Sequence, residues 1–204
     1  MRRVEHKPTE VRRHEIIEAA QKIILTRGMG HLTIEAIAQE VGLTEGAIYR
    51  HFTSKQEVLL FLLEDVERTL FEKLDETKEA QGSSLTRLEE FLKADLSFLE
   101  GREGLSFIIS QAGYLGDPEI QDRVSRIVTR YLKTIEAILG EGVESGEIRH
   151  DIDREAAAIL FLGMVQGCVT AISSRAIADQ GLARWYLPLW NVYREAVVSQ
   201  EGRA

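Results

Sequence analysis

Apolar residues recur along this chain at three- and four-residue intervals almost from end to end, a period that predicts helices and leaves no convincing strand. Ile16, Ala20, Ile23 and Ile24 mark a buried stripe over about residues 9–27, which Gly28 ends. A second stripe, Ile34, Ile37, Ala38 and Val41, starts after Thr33, whose hydroxyl is placed to cap the helix, and stops at Gly42, which suits the left-handed end of a helix. Leu43 then folds back into a small core, and Thr44 caps a third helix whose inward stripe is Ile48 and Phe52. Glu45, Gly46, Tyr49 and Arg50 are left facing outward, with His51 near the exit. Two short helices joined by a tight turn, the second crowded with hydrogen-bonding groups, have the layout of a DNA-reading helix-turn-helix.

The same period continues beyond this head. Ser54 and Glu57 form a capping-box pattern that opens a long helix over about residues 55–80. A GSS break at 82–84, a helix near 85–99 and a Gly-bounded segment around 105–115 come next. Asp117 as cap, with Pro118 in the first turn, begins a helix expected to last until Leu139. Residues 140–153 read as a fraying helix end and a turn, and Asp153 as the cap of a helix over 154–177. The last helix is expected to start near Gln180 or Gly181 and to bend at Pro188. An all-α fold of about nine helices follows, with a boundary between residues 1–54 and 55–204.

Charge is unevenly distributed along the chain. The formal net charge of −8 argues at first against a nucleic-acid partner, but residues 1–55 carry nine Lys or Arg against seven Asp or Glu, giving +2, while the rest carries sixteen against twenty-six, giving −10. The reading end is the positive end, and Arg2, Arg3, Lys7, Arg12 and Arg13 form a basic lead-in able to reach phosphates or the minor groove. An acidic body discourages indiscriminate coating of DNA. One cysteine, Cys168, excludes an intrachain disulfide, fits a reducing cytoplasm and sits in an apolar run as a small hydrophobe. The N-terminus lacks an apolar leader, and the run from Val58 to Val66 is too short to span a bilayer, so a cytoplasmic protein without a membrane partner is expected.

The run GLTEGAIYRHFTSKQEVL, preceded by TRGMGHLTIEAIA, resembles the TetR family of one-component transcriptional regulators through Gly28, Thr33, Ile37, Ala38, Val41, Gly42, Ile48, Tyr49, His51, Phe52 and Lys55. The resemblance covers about the first quarter of the chain. It implies that Thr33, Tyr49, His51 and Lys55 touch phosphates, that Thr44, Glu45, Gly46 and Arg50 lie near base edges, and that residues 55–204 form a helical ligand-binding and dimerisation domain. Arg50 can present a bidentate fork to guanine, and Glu45 can accept from a cytosine amino group or orient Arg50. The implied partners are double-stranded DNA bearing an inverted repeat, a second copy of the chain and a small-molecule effector whose binding releases DNA by biasing the fourth helix, which makes the protein a repressor.

Leu160, Gly163, Gly167, Ala171, Tyr186, Leu189, Trp190, Tyr193 and Val197 suit either packing within the chain or a subunit contact, and the resemblance implies the second, making the last two helices the expected homodimer surface. Candidate pocket residues are Phe71, Phe91, Phe98, Phe107, Ile108, Gln111, Tyr114, Tyr131, Phe161, Met164 and Gln166, which combine aromatic and flexible apolar groups with a few polar anchors. No basic cluster falls among them, so the effector is expected to be mainly apolar or aromatic.

Enzyme chemistry has little support: GxSxG, GxxxxGK, CxxC and HExxH are all absent, and no cofactor is implied. Glu147, His150, Asp151 and Asp153 are better read as capping and loop residues than as metal ligands, so no metal site is expected. A helical protein-interaction module remains a rival, and it differs in predicting no salt-sensitive binding to duplex DNA.

Overall fold

The computed structural model describes residues 8–79, 82–100, 105–174 and 183–199, and their side chains except at 73–74, 76–79, 97–100, 105–106, 172–173 and 183. Among the described residues the chain forms nine α-helices: α1 Thr9–Arg27, α2 Ile34–Val41, α3 Glu45–Ile48, α4 Lys55–Glu79, α5 Ser84–Glu100, α6 Leu105–Gly113, α7 Pro118–Glu144, α8 Arg154–Ser173 and α9 Ala183–Val197. Backbone contacts divide it into two compact units, one of Met1–Arg68 with Ile108–Val124 and the other of Thr69–Phe107 with Ser125–Ala204.

The first unit owes its form to local capping followed by burial. Thr33 Oγ1 accepts the Ala36 amide at 3.0 Å and starts α2, while Gly42 ends it at φ 76°, letting the Leu43 amide reach back to the Ala38 carbonyl at 2.8 Å. Thr44 Oγ1 accepts the Ala47 amide at 3.3 Å and starts α3. α-Helical geometry covers only Glu45–Ile48, but the His51 amide bonds to the Ile48 carbonyl at 2.9 Å and the turn carries Phe52 inward beside Ile48. Ile16, Ile24, Ile37 and Ile48 are fully buried, each contributing about 1.5–3 kcal/mol by leaving water. Arg27 pairs with Glu40 at 3.7 Å, and Lys22 also pairs with Glu40, tying α1 to α2 and holding the Glu40 carboxyl below its ordinary range, chiefly through the Lys22 hydrogen bond.

The capping box at α4 takes a variant form. Ser54 Oγ accepts the Glu57 amide at 3.1 Å, but the Glu57 carboxylate reaches one residue further back, to the Thr53 amide at 2.6 Å and the Thr53 hydroxyl at 2.7 Å. Those two bonds and then the nearby Arg13 charge hold the Glu57 carboxyl below its ordinary range. Asp117 caps α7 as expected, accepting from the Glu119 and Ile120 amides at 3.1 Å each.

In the second unit α5, α8 and α9 pack on one another around Leu88, Phe91, Leu92, Phe161, Val165 and Tyr193, all buried. α7 runs to Glu144, five residues past the expected stop at Leu139. Gly140 and Gly142 are interior helical positions here, and a Cβ at Gly142 would lie 2.5 Å from Ile148 Cδ1 and 3.0 Å from Ser84 Cβ, so the missing side chain makes room for packing rather than ending the helix. Ile148 forms an isolated antiparallel bridge with Val198, reinforced by the Arg149 amide to the Val197 carbonyl at 3.1 Å. Asp153 Oδ1 caps α8 through the Ala156 amide at 3.0 Å. The expected end of that helix at residue 177 and the expected start of the next at Gln180 or Gly181 lie outside the described residues, as do Arg2, Arg3 and Lys7.

Candidate functional site

The head presents Thr33, Thr44, Glu45, Gly46, Tyr49, Arg50 and Lys55 as exposed residues, with His51 half-buried behind them. Tyr49 is 52% exposed although it is aromatic, so its ring is not used to fill the core. A Cβ built on Gly46 meets nothing within 4 Å, and its backbone is not left-handed, so neither packing nor turn geometry inside the chain calls for glycine there. Lys55 begins α4 next to Gln56, whose amide donates to Asp117 Oδ1 at 3.3 Å and Glu119 Oε2 at 2.9 Å, fixing the start of α4 against the start of α7.

The surroundings of His51 disfavour its protonated form. Burial first, then the charges of Arg12, Arg13 and Arg50, hold its pKa below the ordinary histidine value, and its enclosed Nδ1 has no hydrogen-bond partner. Arg13 departs from the expected basic lead-in: its guanidinium lies 4.5 Å from the Phe52 ring centroid and 4.7 Å from that of Phe61, with Glu57 Oε1 at 3.5 Å. Phe52 and Phe61 meet edge to face at 5.8 Å. Arg13 thus stacks inside the head as a structural cation, and Arg12 donates to Glu15 at 2.7 Å.

In the second unit the structure brings three of the eleven candidate pocket residues together. Phe91 stacks on Phe161 at 5.7 Å and lies 5.2 Å from Tyr131, and Tyr193 meets Phe161 edge to face at 5.2 Å. Ile108 is buried, Phe107, Gln111, Met164 and Gln166 are half-buried, and Phe71 lies beneath Arg130, whose Cζ is 3.7 Å from its ring centroid. Tyr114 is 85% exposed and lines no interior, because α6 ends at Gly113 and the chain turns outward there. The Phe98 side chain lies outside the described residues.

Two features of this unit escape sequence reading. Asp95, fully enclosed among these rings, accepts from the Tyr131 hydroxyl at 2.7 Å, and burial raises its pKa to about 6 against the bond's opposite effect. The folded chain therefore holds a proton that the unfolded chain releases from about pH 4, so stability falls as pH rises towards 6, and above it the deficit is about 3 kcal/mol. Asp95→Asn should remove this slope and raise the melting temperature at pH 7.5 by about 6–12 °C, and at pH 4.5 by only about a third as much. Thermal unfolding of both proteins across that range decides it, and an unaltered slope would give Asp95 no part. The second feature is a shallow, open depression of about 500 Å³ along the exposed face of α7, lined by Ser125, Arg126, Thr129, Arg130, Lys133, Thr134 and Ala137.

The expected dimer residues split in two. Trp190, Tyr193 and Val197 are buried in the chain's own core, Tyr193 also donating its hydroxyl to the Ala157 carbonyl at 3.2 Å, so they are withdrawn from any subunit surface. Leu160, Gly163 and Gly167 are exposed, Ala171, Tyr186 and Leu189 half-buried. A Cβ on Gly163 or Gly167 would meet nothing within 4 Å. The large apolar groups left outside are Ile159 and Leu160 on α8 and Leu187 and Val192 on α9, the last 72% exposed.

Around residues 147–153 the acidic side chains are engaged in holding the chain together. Glu147 accepts the Leu85 amide at 3.3 Å, Asp151 pairs with Arg149 at 3.6 Å and Asp153 caps α8. Burial pushes the Cys168 thiol's pKa above its ordinary value.

Comparison with known proteins converges on this geometry. Residues 16–61 match the bacterial regulatory proteins of the tetR family, and residues 64–177 match the YsiA-like protein C-terminal region. The nucleoid occlusion factor SlmA of Vibrio atlanticus is 30% identical over 158 residues, covering 76% of this chain and 81% of that protein. The fatty acid metabolism regulator protein of Bacillus subtilis is 26% identical over 156 residues, covering 76% and 80%. The fold matches the transcriptional regulator FadR from Bacillus subtilis, solved in complex with stearoyl-CoA, with a TM-score of 0.76, 23% identity and coverage of 88% of this chain and 96% of that one. The chain belongs to the TetR family, and it is a ligand-responsive transcriptional regulator, not an enzyme.

Proposed function

We propose that the protein is a cytoplasmic repressor that binds an inverted-repeat operator as a homodimer and leaves it when a fatty acyl compound binds its body. The observation that carries the DNA reading is the exposed set Tyr49, Arg50 and Lys55 beside Gly46, where a Cβ would meet nothing within 4 Å. Thr33, Tyr49, His51 and Lys55 act as phosphate contacts, while Thr44, Glu45, Gly46 and Arg50 face base edges. Residues 1–54 serve as the DNA-binding domain and 55–204 as the ligand-binding and dimerisation domain.

The dimer forms through the outward faces of α8 and α9, with Leu160, Gly163, Gly167 and Ala171 at its centre and Leu187 and Val192 added from α9. Arg154–Ala171 is long and apolar enough to cross a membrane, but one of its faces packs on α5 and α9 and the other carries two glycines where a helix can approach closely. A second subunit accounts for both. A fatty acyl effector like the one held by the Bacillus subtilis regulator would seat its apolar body among Phe91, Tyr131, Phe161 and neighbouring core residues, and the aromatic cluster these residues form supports that reading.

A sequence-selection experiment followed by binding measurements over a range of salt tests the DNA reading. Affinity should fall steeply as salt rises. Tyr49→Ala and Lys55→Ala should each weaken binding to all duplexes by roughly tenfold, whereas Arg50→Ala should also relax base preference at one position per half-site, a contact worth about 1–3 kcal/mol. Salt-independent binding, or none, would favour the protein-interaction module instead.

A further inference from the structure

The two ring nitrogens of His51 have different surroundings. The residue is half-buried, and Nδ1 is the nitrogen sealed from solvent without a hydrogen-bond partner, which leaves Nε2 to meet a ligand. Arg12 and Arg13 of α1 and Arg50 in the turn after α3 bring three guanidinium charges to bear on the ring. The carboxylates on the neighbouring elements are engaged elsewhere: Glu15 of α1 accepts from Arg12 at 2.7 Å, and Glu57 of α4 accepts from the Thr53 amide and hydroxyl and from Arg13. Arg13 cannot swing away to a phosphate, because its guanidinium is held over the Phe52 and Phe61 rings at 4.5 and 4.7 Å. Its charge stays beside the histidine whether DNA is present or not.

These constraints decide what the ring can offer. A neutral imidazole with its proton on Nε2 already presents one N–H to a phosphate oxygen. A second proton would sit on Nδ1, enclosed, without an acceptor and next to fixed positive charge, so it adds a cost and no further contact. The cationic part of the phosphate contact is available from Arg50 and Lys55, both exposed. We propose that His51 meets the DNA backbone as a neutral imidazole carrying its one proton on Nε2, a hydrogen-bond donor that adds no charge to the contact. This rests on the DNA reading above and goes beyond it by dividing the phosphate contacts into two kinds: Lys55 displaces a counterion, whereas His51 only fixes position.

Histidine-selective nitrogen NMR of the full-length protein, free and on its selected duplex, tests the proton's place, and operator titrations over salt and from pH 8 to pH 6.5 test its consequence. The spectra should show a protonated Nε2 and a bare Nδ1 in both states; a proton on Nδ1 in the complex overturns the proposal. His51→Gln, whose amide nitrogen lies as many bonds from Cβ as Nε2 does, should lose about threefold in affinity and His51→Ala about tenfold, with melting temperatures measured alongside. The ratio of wild-type to His51→Gln affinity should hold within about twofold across that pH range. A gain of about threefold or more for the wild type as pH falls shows proton uptake and overturns the proposal while leaving the DNA reading intact. The salt slope should be unchanged in His51→Ala but smaller by about one in Lys55→Ala. A smaller slope in His51→Ala as well would make the histidine a cation and overturn the proposal. Undiminished affinity in His51→Ala removes the phosphate contact and this proposal with it, and a wild type that binds no duplex overturns the DNA reading itself.

Discussion

Leu160→Asp should yield a folded monomer whose operator affinity is at least a hundredfold below that of the wild type. Leu160 is 52% exposed in the subunit, so a carboxylate there keeps much of its contact with water and the melting curve of the isolated chain should change little. In a dimer the same position lies beside Gly163 and Gly167, and a charge there would be taken out of water without a partner, at a cost of several kcal/mol across a two-fold interface that doubles every substitution. The loss reaches DNA because one head reads only a few base pairs. Two heads joined in one molecule bind the second half-site at a millimolar effective concentration, and that gain disappears with the dimer. Native mass spectrometry and a binding titration on a palindromic duplex read both effects. A variant that remains dimeric would remove α8 from the interface, and a monomer that holds the operator unchanged would remove the need for a dimer.

The contrast between Leu160 and Tyr193 shows what helical periodicity conveys. Spacing finds apolar stripes but not which of two is covered by the chain's own helices and which stays exposed, since both look alike until α5, α8 and α9 are packed. Capping behaves differently. Thr33, Gly42, Thr44, Asp117 and Asp153 all act where their sequence context places them, because each bond closes within a few residues and needs no tertiary information. Arg13 was not legible: its stacking on Phe52 and Phe61 joins residues some forty positions apart, and a cation near the N-terminus of a DNA-reading head reads more naturally as a phosphate contact. The end of α7 was hidden for a related reason. Gly140 and Gly142 resemble a helix stop, and only the approach of Ile148 and Ser84 to Gly142 reveals that the helix needs a gap in its surface there. Asp95 and the α7 depression share this origin, since burial of an acid and concavity of a helix face are properties of assembled elements.

Gly46→Leu should separate folding from function more sharply than any other change in the head. Glycine costs a helix about 0.8–1 kcal/mol relative to alanine, and leucine is close to alanine on that scale. Since a Cβ at Gly46 meets nothing within 4 Å, the substituted head has no clash to absorb and should be as stable as the wild type or slightly more so. The presence of a residue that weakens a four-residue helix then calls for a reason outside the chain. Close approach of the groove floor or a phosphate to the first turn of α3 supplies one: a leucine side chain projecting from that surface would hold Tyr49 and Arg50 away from their partners by more than a hydrogen bond can stretch. Losing two or three such contacts, at roughly 1–3 kcal/mol each, lowers operator affinity by at least a hundredfold. Gly46→Ala, which adds a single methyl, should fall between the two. Denaturant unfolding and operator titration of the three proteins form the test, and an affinity that is insensitive to the size of residue 46 would place α3 outside the groove, leaving the exposed face of Tyr49 and Arg50 to recognise something other than base pairs.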